Sequence, residues 1–339
     1  MAEAVTTLAS WAEEDVRLAT VLGALDELRR PEPMPATRTS VLTMVVVASA
    51  EREADRAVVA LRELGGRHPA RVVALLARPG TREPRIDASV VLLGAASGDR
   101  PVWFEEVHLD VSGPVTDHLD SLIEPFTIAD LPVVAWFVHD LPAPSDPLLA
   151  AADVVLVDAR DFGESECFST LLSLRGRPVV DLSWHRLRPW RALLASLFDP
   201  PRVRPFLRGI RSVTVEGKTG PRHLLAGWIS SRLGVPSTEV HLREGEHVTM
   251  EVVAEVDGTR ARFVVARAGD ERIVVARAAV DGEPAVELAV PLPDPTPAWG
   301  LASALSNLER DHVFEESLVA AVALAAREAR AAGPVESPG

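Results

Sequence analysis

From Val41 to Val47 the chain reads Val-Leu-Thr-Met-Val-Val-Val, apolar at all but one position, the pattern of a strand covered on both faces. Behind it Ala54, Val58, Leu61 and Leu64 recur at the spacing of a helix with one apolar face. Ser49 is placed to cap that helix, and Gly65-Gly66 to end it before the next apolar run, Arg71 to Ala77. The pattern predicts a β-α-β unit. Ile86 to Leu93 and Val102 to Val111 are joined by a short loop holding Gly98-Asp99, too short for a crossover helix, so this pair should be antiparallel and the sheet mixed. Alternation continues with a helix near Val115 to Ile123 and strands at Pro132 to Val138 and Val154 to Val157, the second preceded by a short helix at Leu148 to Ala152. A helix from Glu164 to Leu174, a strand from Pro178 to Leu182 and a final helix after Pro189 complete the series. Ahead of it, Glu13 to Arg30 predicts a helix, ended by the proline-rich Pro31-Glu32-Pro33-Met34-Pro35.

The fold class is therefore α/β, with an open mixed-sheet, Rossmann-like domain over 37–200 after an N-terminal segment over 1–36. Pro200-Pro201 and Pro205 mark a boundary. Beyond them, Thr238 to Val290 reads as successive strands broken at Glu244-Gly245, Asp257-Gly258, Gly269-Asp270 and Asp281-Gly282, residue pairs that tolerate the positive φ of hairpin turns. Helices at Pro221 to Leu233 and Asp311 to Arg330 can cover one face of this sheet. The second domain, 201–330, is thus expected to be α+β with an antiparallel meander, followed by a tail over 331–339.

Composition narrows the function more than it names it. The 339 residues carry 35 basic and 49 acidic groups, a net charge of −14, which repels a phosphate backbone and argues against nucleic-acid binding by bulk electrostatics. The N-terminus is acidic where an export signal is basic, and no apolar run nears the ~20 residues that span a bilayer, so the cytoplasm is the expected compartment. One cysteine, Cys167, allows neither an intrachain disulfide nor a thiolate cluster. Lys218 is the sole lysine among those 35 basic residues, and tyrosine is absent, a bias that looks like GC-rich codon usage and weakens arguments from any single arginine.

Familiar catalytic patterns are incomplete. Gly217-Lys218-Thr219 is the second half of a phosphate loop, but the glycine needed five residues before Gly217 is Ser212. Neither G-x-G-x-x-G after a strand nor G-x-S-x-G occurs, and Gly163-Glu164-Ser165-Glu166-Cys167 places the thiol among acids that disfavour the thiolate. His241 and His247 are separated by a turn and make a poor metal pair. Asp158, Asp161 and Asp181 fall at or after strand ends, where α/β folds place ligand sites and also capping residues. The densest constellation is Asp181-Leu182-Ser183-Trp184-His185-Arg186-Leu187-Arg188-Pro189-Trp190-Arg191. Trp184, Arg186, Trp190 and Arg191 are residue types that dominate protein interfaces, and equally types that pack and shield a strand-to-helix junction.

That stretch, with Ala129-Asp130-Leu131-Pro132-Val133-Val134-Ala135-Trp136-Phe137, Asp153 to Phe162 and Leu225 to Leu233, resembles the glucose-6-phosphate dehydrogenase assembly protein family, OpcA. The likeness runs from about Val41 to Arg330 and is most specific between Asp130 and Arg191. It implies a non-catalytic partner of glucose-6-phosphate dehydrogenase that promotes its assembly and activity in the oxidative pentose phosphate pathway, and so its NADPH supply. It implies no cofactor, no metal, and no catalytic residue to carry over. The alternative on the residues alone is an enzyme or sensor binding a sugar phosphate near Asp158 and Arg186, with Arg191 as a second clamp. Some members of the family are thought to mediate redox control through cysteines, and Cys167 alone cannot form such a dithiol switch within this chain.

Overall fold

The structure, a computed structural model, describes residues 5–30, 37–38, 40–64, 68–80, 83–97, 100–163, 167–268, 272–292 and 297–332. It forms two compact units, one from Met1–Val157, Gly176–Val180 and Thr296–Arg310, the other from Asp158–Arg175, Asp181–Pro295 and Asp311–Gly339.

The first unit opens with β1 (Thr6–Glu13), α1 (Leu18–Leu28), β2 (Thr37–Arg38), β3 (Leu42–Ala48), α2 (Glu51–Leu64) and β4 (Ala70–Arg78). It continues through β5 (Arg85–Ser97), β6 (Arg100–Ser112), α3 (Leu119–Ile123), β7 (Val133–Phe137), α4 (Leu148–Ala151) and β8 (Val154–Val157). With β9 (Val179–Asp181) the strand order is β1-β5-β6-β4-β3-β7-β8-β9, and β2 pairs with β6 off that path. β3 is central and parallel to both neighbours, Val45 standing opposite Val73 on β4 and Ala135 on β7. Met44, Val45 and Val46 are all fully buried, as a strand covered on both faces requires. β5 runs antiparallel to β6, so the sheet is mixed as its patterning predicts.

Two acids that the apolar pattern does not foretell lie inside this unit. Glu105 and Glu106 are neighbours on β6, hence on opposite faces, and are 1% and 0% exposed. Glu105 accepts from Nε of Arg29 at 2.7 Å and Nε of Arg71 at 2.6 Å, and Glu106 from Nε of Arg62 at 2.9 Å. Burial alone would raise the Glu106 carboxyl; hydrogen bonds from His108 and Arg62 overcome it and hold the group below its ordinary value.

The second unit contains α5 (Cys167–Ser173), α6 (Leu182–Arg186), α7 (Arg188–Leu197), β10 (Ile210–Gly217), α8 (Thr219–Leu233) and β11 (Val240–Glu244). β12 (Thr249–Val256), β13 (Thr259–Arg267), β14 (Ile273–Val280) and β15 (Val286–Pro291) follow, and α9 (Pro297–Leu305) returns to the first unit before α10 (His312–Ala332) closes the second. The sheet order is β11-β10-β12-β13-β14-β15. From β12 onward it is an antiparallel meander whose first turn holds Asp257 and Gly258 at φ of 51° and 78°, the primed-turn geometry expected of that pair. α8 and α10 meet at Gly227, where a Cβ would lie 2.2 Å from the Ser317 carbonyl oxygen.

Several expectations need correction. The first helix begins at Leu18, because Thr6–Glu13 pairs antiparallel with β5 as an edge strand. The Val115 region is a 3-10 turn over Gly113–His118, and the α-helix starts only at Leu119. The Ser49 hydroxyl donates to Asp140 at 2.8 Å, and the Ala50 carbonyl accepts the first turn's amides from Glu53 and Ala54. β11 runs parallel to β10 rather than in the meander, since α8 forms a crossover between them, so Glu244-Gly245 does not join neighbouring strands. Pro200-Pro201 lies inside the second unit: α7 buries Trp190, Leu193, Leu194 and Leu197 on one face, and the following Phe198 ring stacks 4.3 Å from Phe263 of β13. An amphipathic helix declares its apolar face in sequence but not which sheet that face will meet. Pro31 to Pro35, Gly65-Gly66, Gly98-Asp99, Glu164 to Glu166, Gly269-Asp270 and the end of the tail lie outside the described residues.

Candidate functional site

Asp158 and Asp181 each follow a buried strand run, and both act first as caps. The Asp158 carboxylate accepts the Arg160 amide at 3.1 Å and caps the 3-10 turn Ala159–Asp161. Asp181 accepts the Trp184 amide at 2.7 Å as the N-cap of α6, and with its other oxygen the Ala159 amide at 2.9 Å. Pro189 stands in the first turn of α7, where its missing N–H costs nothing, and so separates α7 from α6 at Leu187.

Around these caps the polar atoms are spent on one another. Ser183 donates to Asp158 at 2.6 Å, and both terminal nitrogens of Arg186 bond Oδ2 of the same carboxylate, Nη1 at 2.9 Å. Asp181 is 1% exposed, and burial, reinforced by the neighbouring Asp158 charge, pushes its carboxyl up to about 7 against the pull of its two amide donors and Arg186. Trp184 is 2% exposed, packs 5.6 Å from the Phe314 ring, and donates through Nε1 to Asp311 at 2.8 Å. Asp311 accepts the Phe314 amide with its other oxygen, so one carboxylate both caps α10 and anchors Trp184.

Arg191 lies 3.4 Å above the Trp184 ring and donates to the Trp184 carbonyl at 3.1 Å. Burial lowers its pKa to about 10, with Asp311 opposing and Arg188 adding to the shift, so it remains charged at neutral pH. Trp190 is 4% exposed and donates to the Val248 carbonyl at 3.2 Å, with Arg267 5.9 Å from its ring.

The structure therefore brings Asp158, Asp181, Trp184, Arg186 and Arg191 together, and leaves the buried Nε of Arg191 without a hydrogen-bond partner among the described residues. Two expectations drawn from sequence concern these side chains. Trp184 and Trp190, read as contact anchors for a partner, are buried, and each donates its ring N–H to a half-buried acceptor of the same unit, Asp311 and the Val248 carbonyl. Arg186, read as a phosphate ligand in the alternative, is occupied by Asp158, and Arg191 is occupied by the Trp184 face and carbonyl. Asp161 stands apart, lining a cleft of about 560 Å³ with Arg160, Lys218, Thr219, Glu244 and Glu246. There Gly217-Lys218-Thr219 does join a strand to a helix, but Ser212 lies within β10, where the chain is extended and cannot wrap a phosphate. Gly220 is required by packing: a Cβ on it would lie 1.7 Å from the Ala159 carbonyl oxygen.

Ser183 and Asp311 are the members that sequence reasoning missed. Asp311 had a signal, since it opens the stretch read as the last helix, but nothing local links it to Trp184, 127 positions away. Among the described residues no group of three His, Cys, Asp or Glu side chains could hold a metal ion, and no helix is long and apolar enough to cross a membrane.

Comparison with known proteins gives this network its context. Residues 61–175 match the family model for the N-terminal domain of a glucose-6-phosphate dehydrogenase subunit, and residues 177–318 that for its C-terminal domain. Among relatives, an OxPP cycle protein OpcA of Nostoc punctiforme is 28% identical over 229 residues, 61% of this chain and 48% of that protein. Proteins with the same description from Synechocystis and Synechococcus elongatus are 30% and 26% identical over 139 and 167 residues, 38% and 46% of this chain and 29% and 37% of theirs. The chain thus spans about half, or less, of the length of these relatives.

Proposed function

The chain belongs to the OpcA family of glucose-6-phosphate dehydrogenase assembly proteins, and from that premise we propose that it is a non-catalytic factor that binds the dehydrogenase and promotes its oligomerisation and activity. The observation that carries the reading is the match, in order, to both domain models of a dehydrogenase subunit. The condition of the junction supports it. Of the most reactive-looking groups in the sequence, Asp158 and Arg186 pair with each other, Asp181 is held by two backbone amides, and Arg191 lies on the Trp184 ring and bonds its carbonyl.

A protein without chemistry of its own can raise an enzyme's activity only by binding its active assembly more tightly than the alternatives. A tenfold preference is worth about 1.4 kcal/mol, enough to redistribute a balanced equilibrium. Placed in the cytoplasm, such a factor would act on the oxidative pentose phosphate pathway and its NADPH supply. Copurification of the two proteins, with dehydrogenase turnover assayed with and without this chain, tests the reading. Binding with raised turnover is expected. Turnover of glucose 6-phosphate by the isolated chain, or a dehydrogenase that neither binds nor responds, would overturn it.

A further inference from the structure

In a chain of net charge −14, the segment Pro200-Pro201-Arg202-Val203-Arg204-Pro205-Phe206-Leu207-Arg208-Gly209-Ile210-Arg211 carries four arginines and no acid. Its conformation sorts the two kinds of side chain. Over the 3-10 turn Arg204–Arg208 and the residue before it, Val203 and Phe206 fall on the same side, three apart, and are 3% and 6% exposed, with the Phe206 ring 6.3 Å from Phe263. Arg202, Arg204, Arg208 and Arg211 are left on the outside.

The backbone is held where the turn meets the sheet. The Glu255 amide donates to the Gly209 carbonyl at 2.8 Å, and a Cβ on Gly209 would lie 2.3 Å from the Glu255 carbonyl oxygen, so only glycine allows this approach. The result is an open cleft of about 770 Å³ lined by Arg204, Arg208 and Arg211, by the apolar Pro205, Leu207 and Val256, and by two acids, Glu255 and Asp257.

These guanidinium groups are little used by the protein itself. Among the described residues Arg208 and Arg211 have no hydrogen-bond or ion-pair partner, Arg204 bonds only the Asp199 carbonyl at 3.2 Å, and Arg202 stands 3.5 Å from the exposed Glu283. Arginine is weakly hydrated and presents a planar fork matched to carboxylates, and Arg204, Arg208 and Arg211 outnumber Glu255 and Asp257 and do not pair with them, so the cleft favours an acidic, partly apolar ligand. The cleft is open and its three arginines are exposed, spread along Arg204 to Arg211, which suits an extended polypeptide better than an enclosed small phosphate.

We propose that this arginine-lined cleft docks an acidic segment of a partner protein; that the partner is the dehydrogenase rests on the reading above. The first arm of the test is fluorescence anisotropy at low salt with a labelled peptide of repeated Glu-Glu-Leu. The intact chain should bind it, Arg208→Glu/Arg211→Glu should weaken binding about tenfold or more, and Arg243→Glu, an exposed arginine outside the cleft, should change it little. No peptide binding, equal binding by the double variant, or displacement of the peptide by tripolyphosphate at lower concentration than by unlabelled peptide would each overturn the cleft as a peptide site. The second arm repeats the titration with the dehydrogenase. If the intact chain fails to bind it while the peptide results hold, the reading of function falls and the cleft stands. If the dehydrogenase binds the intact chain and the double variant alike, the cleft is not its docking site.

Discussion

Asp181 is the residue at which local and long-range demands meet, since a carboxylate fixed by two backbone amides is also fully enclosed beside the Asp158 charge. With its folded pKa raised from 3.8 to about 7, the native state binds the proton more tightly than the unfolded chain across that window. The group's contribution to stability is complete below the unfolded value and is lost as pH rises through about 7. Denaturant unfolding of the wild type and of Asp181→Asn, which carries no charge at any pH, should therefore show the wild type losing stability relative to the variant between pH 4 and 7. The opposite trend would mean that the amide donors dominate. At Asp158 the argument is one of pairing: Arg186→Ala leaves a carboxylate that is 9% exposed with only the exposed Arg160, 3.9 Å away, as a cation. A loss of roughly 2–3 kcal/mol is expected from unfolding midpoints, smaller than for a fully buried pair because Arg186 keeps 22% exposure. Removing both partners in Asp158→Ala/Arg186→Ala should cost less than the sum of the two single changes.

At the scale of elements, glycines separate positions set by packing from positions that packing leaves free. Gly227 of α8 faces the Ser317 carbonyl at a distance that excludes a Cβ, whereas Gly23 of α1 has nothing within 4 Å of where one would stand. Gly227→Ala should destabilise by ~1–3 kcal/mol or more despite the better helix propensity of alanine, because the two helices must part. Gly23→Ala should stabilise by ~0.5–1 kcal/mol. Thermal melts of the two variants read both signs. Elements of this kind were legible in sequence wherever apolar periodicity was strong, as in β3, α2, β7 and the β12 to β15 meander. Legibility failed where the deciding partner lay far along the chain. β1 is an edge strand whose positions are mostly exposed, so no buried face marks it in sequence, and it is fixed by its ladder to β5. The composition of the Asp181 to Arg191 junction was visible, but its closure depends on Asp311 and Val248, which no spacing rule connects to it.

At the scale of the whole molecule, an acidic chain that belongs to an assembly-protein family invites an account based on association. The sequence supplies one thiol, so no disulfide can form within the chain, and activation of the dehydrogenase should be the same under reducing and mildly oxidising conditions. Cys167→Ser, assayed under both, checks this, and a mixed disulfide through Cys167 that altered activation would contradict it. The central claim is that binding shifts the dehydrogenase between assembly states, and sedimentation velocity of the dehydrogenase, alone and with a molar excess of this chain, measures that shift directly. The account predicts a faster-sedimenting complex larger than one dehydrogenase assembly plus bound chain, appearing at the same ratios that raise turnover. A dehydrogenase whose sedimentation is unchanged, or that gains only the mass of the bound chain without further assembly, would contradict it.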